Sequence, residues 1–468
     1  MEASYLKLHG TATILPSGRL AIGGTEAAEL AARFGTPLWV IDEDHFRANC
    51  RTFRQAFRTA LFPEGVEVVY SAKALAPLAL CRIVHEEGLS LDVVSGGELH
   101  AALTAGFPAG KTYFHGNNKT ATEILLALEA GVGRFMVDSL DELRLLEATA
   151  AGLGAARSGS GASRSQVGGR RADVILRLTP DVDVAAHDYV RTGVLDSKFG
   201  VAIETGQARE AVELALASPH VALRGIHCHI GSQIFDAAPF ERAATVLLDF
   251  AAEVRDATGF VPGDVSLGGG FGIRYVEGDT PLAPAAFAAA IARTIREKTA
   301  TAGLPMPRVL VEPGRSICAT AGWTLYTVGS VKDIPGVRTF VSVDGGMSDN
   351  PRPALYGARY EACLANRAAE EPGAEVFTIA GRCCESGGLL VRDLPLPRPV
   401  VGDILAVSCT GAYNYSMAMN YNHLPRPAMV LVRDGLADVI IERETYVDLV
   451  RRERIPPRLL GPLPPASS

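Results

Sequence analysis

The sequence predicts an α/β protein: a (β/α)8 TIM-like barrel joined to a second, antiparallel β domain built from the C-terminal part plus the N-terminal segment. Three observations carry this. Apolar, β-rich runs recur between Val68 and Val311, with Ala-, Leu- and Glu-rich segments of helical length between them. After Glu312 that rhythm gives way to short apolar runs separated by Gly, Pro and Asp. Polar residues able to do chemistry gather just after the β-rich runs. Strands alternating with helices mean right-handed βαβ units and a parallel sheet. About eight such units over roughly 250 residues is the size of a closed barrel. An open doubly wound sheet is the structural alternative.

Taken in order, residues 1–24 carry short apolar pieces such as Leu20–Ile22 before a break at Gly23 and Gly24. Thr25 can cap a helix through Phe34, which Gly35 stops. Leu38–Ile41 reads as a strand, and Asp42 then caps a helix near Asp44–Ala60. Barrel strands are expected at Val68–Tyr70, Leu91–Val94, Thr112–Phe114, Arg134–Val137, Asp173–Leu178, Leu223–Ile230, Val265–Leu267 and Val309–Val311. Helices are expected at Pro77–Glu87, Glu98–Ala105, Ala121–Ala130, Asp141–Ala151, Gly206–Ala217 and Phe240–Thr258. Gly152–Gly169, rich in Gly, Ser and Ala without an apolar period, reads as a flexible, functionally quiet insertion between a helix and a strand. Later strands are expected at Trp323–Val331, Thr339–Val343, Val376–Ala380, Ile404–Val407, Ala428–Arg433 and Val439–Ile441. The Pro-rich tail from Pro456 reads as loose.

Bulk properties narrow the function classes. A chain of 468 residues exceeds one ordinary core, so two domains are expected. Its 48% hydrophobic and 21% charged residues are a globular composition. A formal charge of −7 argues against nucleic acid as a partner. No apolar run approaches the ~20 residues of a membrane span. The opening MEASYLKLHG lacks the basic and apolar regions of a secretory signal. The eight cysteines show neither a CxxC pair nor a disulfide spacing. A reducing cytoplasm is the expected location.

Laid on a barrel, the polar residues fall at the rim where strands end. Lys73 follows the first strand, Asp92 and Ser95 the second, and His115 and Asn117 the third. His229 and Ser232 follow the sixth, Gly268–Gly270 the seventh, and Glu312 and Arg315 the eighth. That rim is where such barrels place their chemistry. The Gly268–Gly272 run, GGGFG, lets backbone N–H groups converge on an anion such as phosphate. His227 and His229 are spaced to share one strand face. They are a metal-ligand pair if His115 and Asp138 complete the set, and His227 is otherwise a core histidine satisfied by backbone. A lysine, an anion cradle, a carboxylate and a flat imidazole together fit pyridoxal phosphate. Lys73 would carry it, Glu312 would keep its ring nitrogen protonated, and His229 would stack on the ring. No metal is expected.

These residues sit in longer motifs: YSAKA at Tyr70–Ala74, HGNNKT at His115–Thr120, TGVLDSKFG at Thr192–Gly200, HCHIGSQ at His227–Gln233 and EPGR at Glu312–Arg315. The second domain adds DGGMSDNPRPALYGA at Asp344–Ala358, CES at Cys384–Ser386 and GAYNYSMAMNYN at Gly411–Asn422. On them the chain resembles the fold-type III pyridoxal-phosphate decarboxylases from about Gly23 to Asp448. Within that family it is most similar to the members acting on meso-2,6-diaminopimelate. The resemblance implies a pyridoxal-phosphate-binding barrel over residues 44–320, interrupted by the 152–171 insertion, and a β domain over 1–43 and 321–468. It implies cofactor binding by Lys73, His229, Ser232, Gly269 and Gly270, with Glu312, Gly314, Arg315 and Tyr413. Substrate contacts would come from Arg315, Arg352, Tyr356, Glu385 and Tyr413. Catalytic roles fall to Lys73, His229 and Cys384, the last as a proton donor supplied by the second subunit of a homodimer.

The implied reaction is decarboxylation of meso-2,6-diaminopimelate to L-lysine and carbon dioxide. Arg315 and Arg352 would hold the distal carboxylate with charge-assisted hydrogen bonds. The alternatives are another carboxylated diamino acid of siderophore or antibiotic synthesis, and a non-catalytic cofactor-binding homologue. A racemase is disfavoured by Glu312, because racemases on this barrel resemble one another in placing a cation, not a carboxylate, beside the ring nitrogen. Two departures from the family pattern stand out. Gly388 replaces the usual Asp, and Cys383 precedes Cys384.

Overall fold

The computed structural model describes residues 6–61, 65–159, 171–182 and 196–461. Eight parallel strands form the barrel: β1 Val66–Ser71, β2 Ser90–Val93, β3 Thr112–Phe114, β4 Arg134–Val137, β5 Ala172–Thr179, β6 Val221–His227, β7 Asp264–Ser266 and β8 Arg308–Val311. Each pairs with the next, and β8 pairs with β1, so the sheet closes and the open-sheet alternative falls. The lumen is packed, not open. Val69, Tyr113, Met136, Ile175 and Leu310 point inward from five strands as one buried cluster. At the N-terminal mouth Arg308 pairs with Glu67 and Asp264, while Arg134 joins Asp264 to Asp173. This end is closed by ion pairs, so the open chemistry is left to the other end.

The helices lie around the barrel with apolar faces inward. In Ala238–Thr258, Phe240, Leu247, Phe250 and Val254 are buried and Gly259 ends the helix in the left-handed region. Asp42 caps Glu43–Leu61 as expected, its Oδ1 accepting the His45 N–H at 3.0 Å. Two boundaries differ from expectation. Thr25 lies in a strand, so the first helix is Ala27–Phe34 with Glu26 at its N-cap. The helix expected to end at Ala151 runs from Leu140 to Gly159, because Ala-rich sequence propagates a helix without an apolar period. The rest of the expected insertion, 160–170, lies outside the described residues, as does Thr192–Leu195 of the TGVLDSKFG motif.

The second sheet runs in the order Leu389–Pro395, Val376–Ala380, Arg338–Val343, Gly322–Ile334, Leu38–Asp42, Ala428–Arg433, Leu436–Ile441. Ile404–Val407 and Ala362–Leu364 add on beside Gly322–Ile334. The sheet is mixed rather than purely antiparallel. Arg338–Val343 pairs in parallel with Val376–Ala380, and Leu38–Asp42 with Ala428–Arg433. Neither pair is joined by a hairpin, and only a long connection can make strands parallel. Two strands of this sheet escaped the sequence reading. Leu389–Pro395 ends in proline, which an edge strand tolerates, and Ala362–Leu364 is only three residues long.

Candidate active site

Strand β1 ends at Ser71, and a 3-10 turn over Ala72–Ala74 carries Lys73 into a cavity at the C-terminal mouth. The turn is held on several sides. Ser71 Oγ donates to Asp92 Oδ2 at 2.6 Å, and Tyr70 Oη donates to the Leu75 carbonyl at 2.7 Å. The Ala74 carbonyl accepts the Tyr413 N–H at 2.9 Å, tying the turn to the second sheet's loops.

The cavity measures about 1080 Å3. Lys73, His229, Ser232, Gly269, Gly270 and Glu312 line it, as do Gly314, Arg315, Arg352, Tyr356 and Tyr413. Of the residues singled out in the sequence, Cys384 and Glu385 are not among its lining. Both are exposed on a separate loop, where the Cys384 N–H donates to Asn422 Oδ1 at 2.8 Å and Glu385 Oε1 accepts the Gly387 N–H at 2.7 Å. Cys383 is buried, so of the adjacent pair only Cys384 presents its side chain to the outside. Gly388 closes the turn: its N–H donates to the Glu385 carbonyl, and a Cβ there would lie 3.1 Å from that same oxygen.

At the far wall the glycine loop is shaped by close approach. A Cβ on Gly269 would lie 2.2 Å from the Glu312 carbonyl oxygen, and one on Gly270, at φ +111°, 2.3 Å from that of Gly231. Only glycine lets this backbone face the cavity. The Gly269 N–H donates to His229 Nδ1 at 3.2 Å, so that nitrogen is an acceptor and a neutral ring carries its proton on Nε2. Burial, and then the Lys73 ammonium, push the His229 pKa well below its ordinary value. The imidazole is therefore an uncharged flat surface at neutral pH.

Glu312 is buried at the cavity wall. Ser266 Oγ donates to its Oε1 at 2.8 Å, and His227 Nε2 lies 3.1 Å from its Oε2. Burial by itself raises its pKa; the neighbouring His227, then His115, and the hydrogen bonds from His227 and Ser266 outweigh it and hold the carboxyl well below the usual range. His227 is thus partnered by a carboxylate, not by backbone as the sequence suggested. The His227/His229 ligand pair is not assembled either. His115, His227 and Glu312 bring donor atoms within 4.8 Å of one another, while His229 binds the glycine loop. Asp138 lies 3.6 Å from Arg177 and accepts the Gly200 N–H. Asp92, beside Lys73, is pushed up to about 6 by burial, against the pull of the lysine.

The third wall is cationic. Arg315 and Arg352 are both buried, and neither has a carboxylate partner among the described residues. Arg315 Nη2 donates to Ser232 Oγ at 3.0 Å, and its guanidinium lies 4.9 Å from the centre of the Tyr413 ring. Tyr275, Tyr360, Arg177 and the Glu312-orienting role of His227 were missed in the sequence. Tyr275 follows the glycine run by three residues, and no local pattern distinguishes it from a core tyrosine.

The groups present fit pyridoxal phosphate. A lysine amine, a side-chain-free backbone cradle, an ionised carboxylate and a neutral imidazole face one space. Fold and site together define the class: a barrel enzyme of the fold-type III, pyridoxal-phosphate-dependent kind. Comparison with known proteins agrees. The chain belongs to the pyridoxal-dependent decarboxylase family, whose pyridoxal binding domain matches residues 43–319. It is 48% identical to the diaminopimelate decarboxylase of Bacillus subtilis over 444 residues, covering 95% of this chain and 97% of that one. It is also 48% identical to the enzyme of that name from Halalkalibacterium halodurans, over 95% of this chain and 97% of that one. Among solved structures, diaminopimelate decarboxylase from M. jannaschii in co-complex with L-lysine superposes with a TM-score of 0.87 at 38% identity, covering 97% of this chain and 100% of that one.

Proposed function

We propose that this chain decarboxylates meso-2,6-diaminopimelate to L-lysine and carbon dioxide, with pyridoxal 5'-phosphate as cofactor. The observation that carries the substrate is the pair Arg315 and Arg352, two buried guanidiniums facing the cavity without a carboxylate partner among the described residues. A buried cation left without an anion is costly. A substrate with a second amino-acid end supplies that anion, and a plain diamine does not. Relatives named diaminopimelate decarboxylase at 48% identity, and a solved one holding L-lysine, support the same reading.

Each residue then has a task. Lys73 would hold the cofactor through its side-chain amine. The backbone of the glycine loop, with Gly314 and Ser232, would hold the phosphate. Glu312 would receive the ring N–H, and His227 and Ser266 keep it ionised for that purpose. His229 supplies a neutral face for stacking, because a protonated imidazole there would oppose a cationic ring. When bound, pyridoxal phosphate supplies the conjugated system that takes up the electron pair left by carbon dioxide. Arg315 and Arg352, with Tyr356 and Tyr413, orient the distal end so that the other carboxylate is the one lost.

Cys384 and Glu385 lie outside their own chain's cavity lining and face outward. In our reading they complete the cavity of a second copy in a two-fold homodimer. There Cys384 Sγ returns a proton to the carbon that lost carbon dioxide, and Glu385 takes the distal ammonium. We place the domain division at residues 44–320 for the barrel and 1–43 with 321–468 for the sheet.

Purified protein incubated with pyridoxal phosphate and meso-2,6-diaminopimelate should yield lysine and carbon dioxide in equal amounts. Cofactor-loaded protein that turns over a different diamino acid but leaves diaminopimelate untouched would overturn the substrate.

A further inference from the structure

We propose that Tyr275 is a positioning residue: it sets the spacing of Arg315 and Arg352, and through them the grip on the substrate's distal carboxylate. The proposal rests on the reading of function above. The two arginines come from different elements. Arg315 opens the short helix Arg315–Cys318 after β8, and Arg352 opens the helix Arg352–Tyr356 between strands of the second sheet. Two buried like charges repel strongly where water cannot screen them. The Tyr275 phenol oxygen lies between them, accepting from Arg315 Nη1 at 2.7 Å and from Arg352 Nη1 at 3.1 Å. A hydroxyl oxygen has two acceptor positions, and both are taken. Its ring also lies under both cations, 5.7 Å from the Arg315 guanidinium carbon and 5.0 Å from that of Arg352.

The phenol is itself firmly held. The Tyr360 ring meets the Tyr275 ring edge-on at 5.5 Å, and Tyr360 Oη accepts a further hydrogen bond from Arg352 at 2.6 Å. Next to Tyr275 in sequence, Arg274 pairs through both terminal nitrogens with Glu361 at 2.7 and 3.0 Å, anchoring the segment to the second sheet's side of the molecule. One oxygen therefore holds two cations at a fixed separation. That geometry suits a planar carboxylate and offers nothing to an alkyl amine.

Tyr275→Phe keeps the ring and its packing and removes only the oxygen. It should be tested in the full-length, cofactor-loaded protein against two ligands, L-lysine, which keeps the distal carboxylate, and 1,5-diaminopentane, which lacks it. We expect L-lysine binding to weaken about tenfold, the scale of a lost hydrogen bond to a charged group. KM for diaminopimelate should rise in parallel with kcat within about twofold. Binding of 1,5-diaminopentane and of pyridoxal phosphate should stay unchanged. Unaltered L-lysine affinity would overturn the proposal. So would an equal loss for both ligands, or a parallel loss of cofactor affinity, since either would mean a general support of the cavity. A wild-type protein that itself binds 1,5-diaminopentane as tightly as L-lysine would instead overturn the reading of the substrate, and this proposal with it.

Discussion

Lys73 leaves β1 on a three-residue turn whose neighbours are almost all buried, and among the described residues it is the one lysine that lines the cavity, beside Asp92 and His229. Borohydride reduction of the cofactor-loaded protein followed by peptide mapping should place the pyridoxyl group on Lys73. Label on any other lysine would remove it from its role. Arg352 belongs to the opposite wall, with phenols and, among the described residues, no carboxylate bonded to it. Arg352→Ala should cost discrimination for diaminopimelate over simple diamines by about 1.5–3 kcal/mol, the value of a charged hydrogen bond. Unchanged steady-state selectivity in that variant would mean that the distal carboxylate is held elsewhere.

Among the elements, the turn leading into Arg352 is built on Asp349. Its carboxylate accepts from Tyr326 Oη, the Gly346 N–H at 2.8 Å and Ser348 Oγ at 3.3 Å. Burial outweighs these bonds and pushes its pKa up to about 6. A carboxyl with a raised native pKa is protonated more readily in the folded state. Its contribution is therefore complete below the unfolded value near 4 and is lost as pH rises through about 6. The stability of the wild type relative to Asp349→Asn should accordingly fall by about 2 kcal/mol between pH 4 and pH 7. Denaturant unfolding across that range measures it, and a flat difference would show that Asp349 does not titrate there. In sequence the segment 160–170 stands between the helix Leu140–Gly159 and β5, whose start lies at the barrel end closed by ion pairs. Its deletion should leave turnover nearly intact. A large loss of activity in a folded deletion variant would show that this end of the barrel communicates with the site.

At the scale of the whole molecule, the proposed reaction needs a thiol and a carboxylate that the chain carries on the outside. Lys73→Ala and Cys384→Ala should each be nearly inactive alone. Refolded together in equal amounts, they pair at random and give mixed dimers in about half of cases. Each mixed dimer has one site with both defects and one with neither, so up to about a quarter of wild-type sites should return. Verified mixed dimers without recovered activity would require each site to be built within one chain. Among the described residues no helix is long and apolar enough to cross a membrane.

The barrel was legible because it is written locally. Each strand is a short apolar run between segments of helical length, and closure follows from eight such units of one handedness. The rim residues were legible for the same reason: Lys73, Glu312 and Arg315 stand directly after strands, at positions local sequence identifies. Contacts between distant segments were not. The parallel pairings of the second sheet depend on which long connection brings a strand alongside, and sequence spacing does not say. His227 looked like a core histidine because its partner, Glu312, is 85 residues away. Tyr275 looked like any buried tyrosine because its two cations lie 40 and 77 residues further along the chain. The sequence by itself determined the barrel, the order of its elements and the chemical types gathered at its mouth, since these follow from periodicity and chain direction. Only the tertiary structure decided which buried charges are balanced and which are left for a ligand, because that balance is a sum over segments that meet only when the chain is folded.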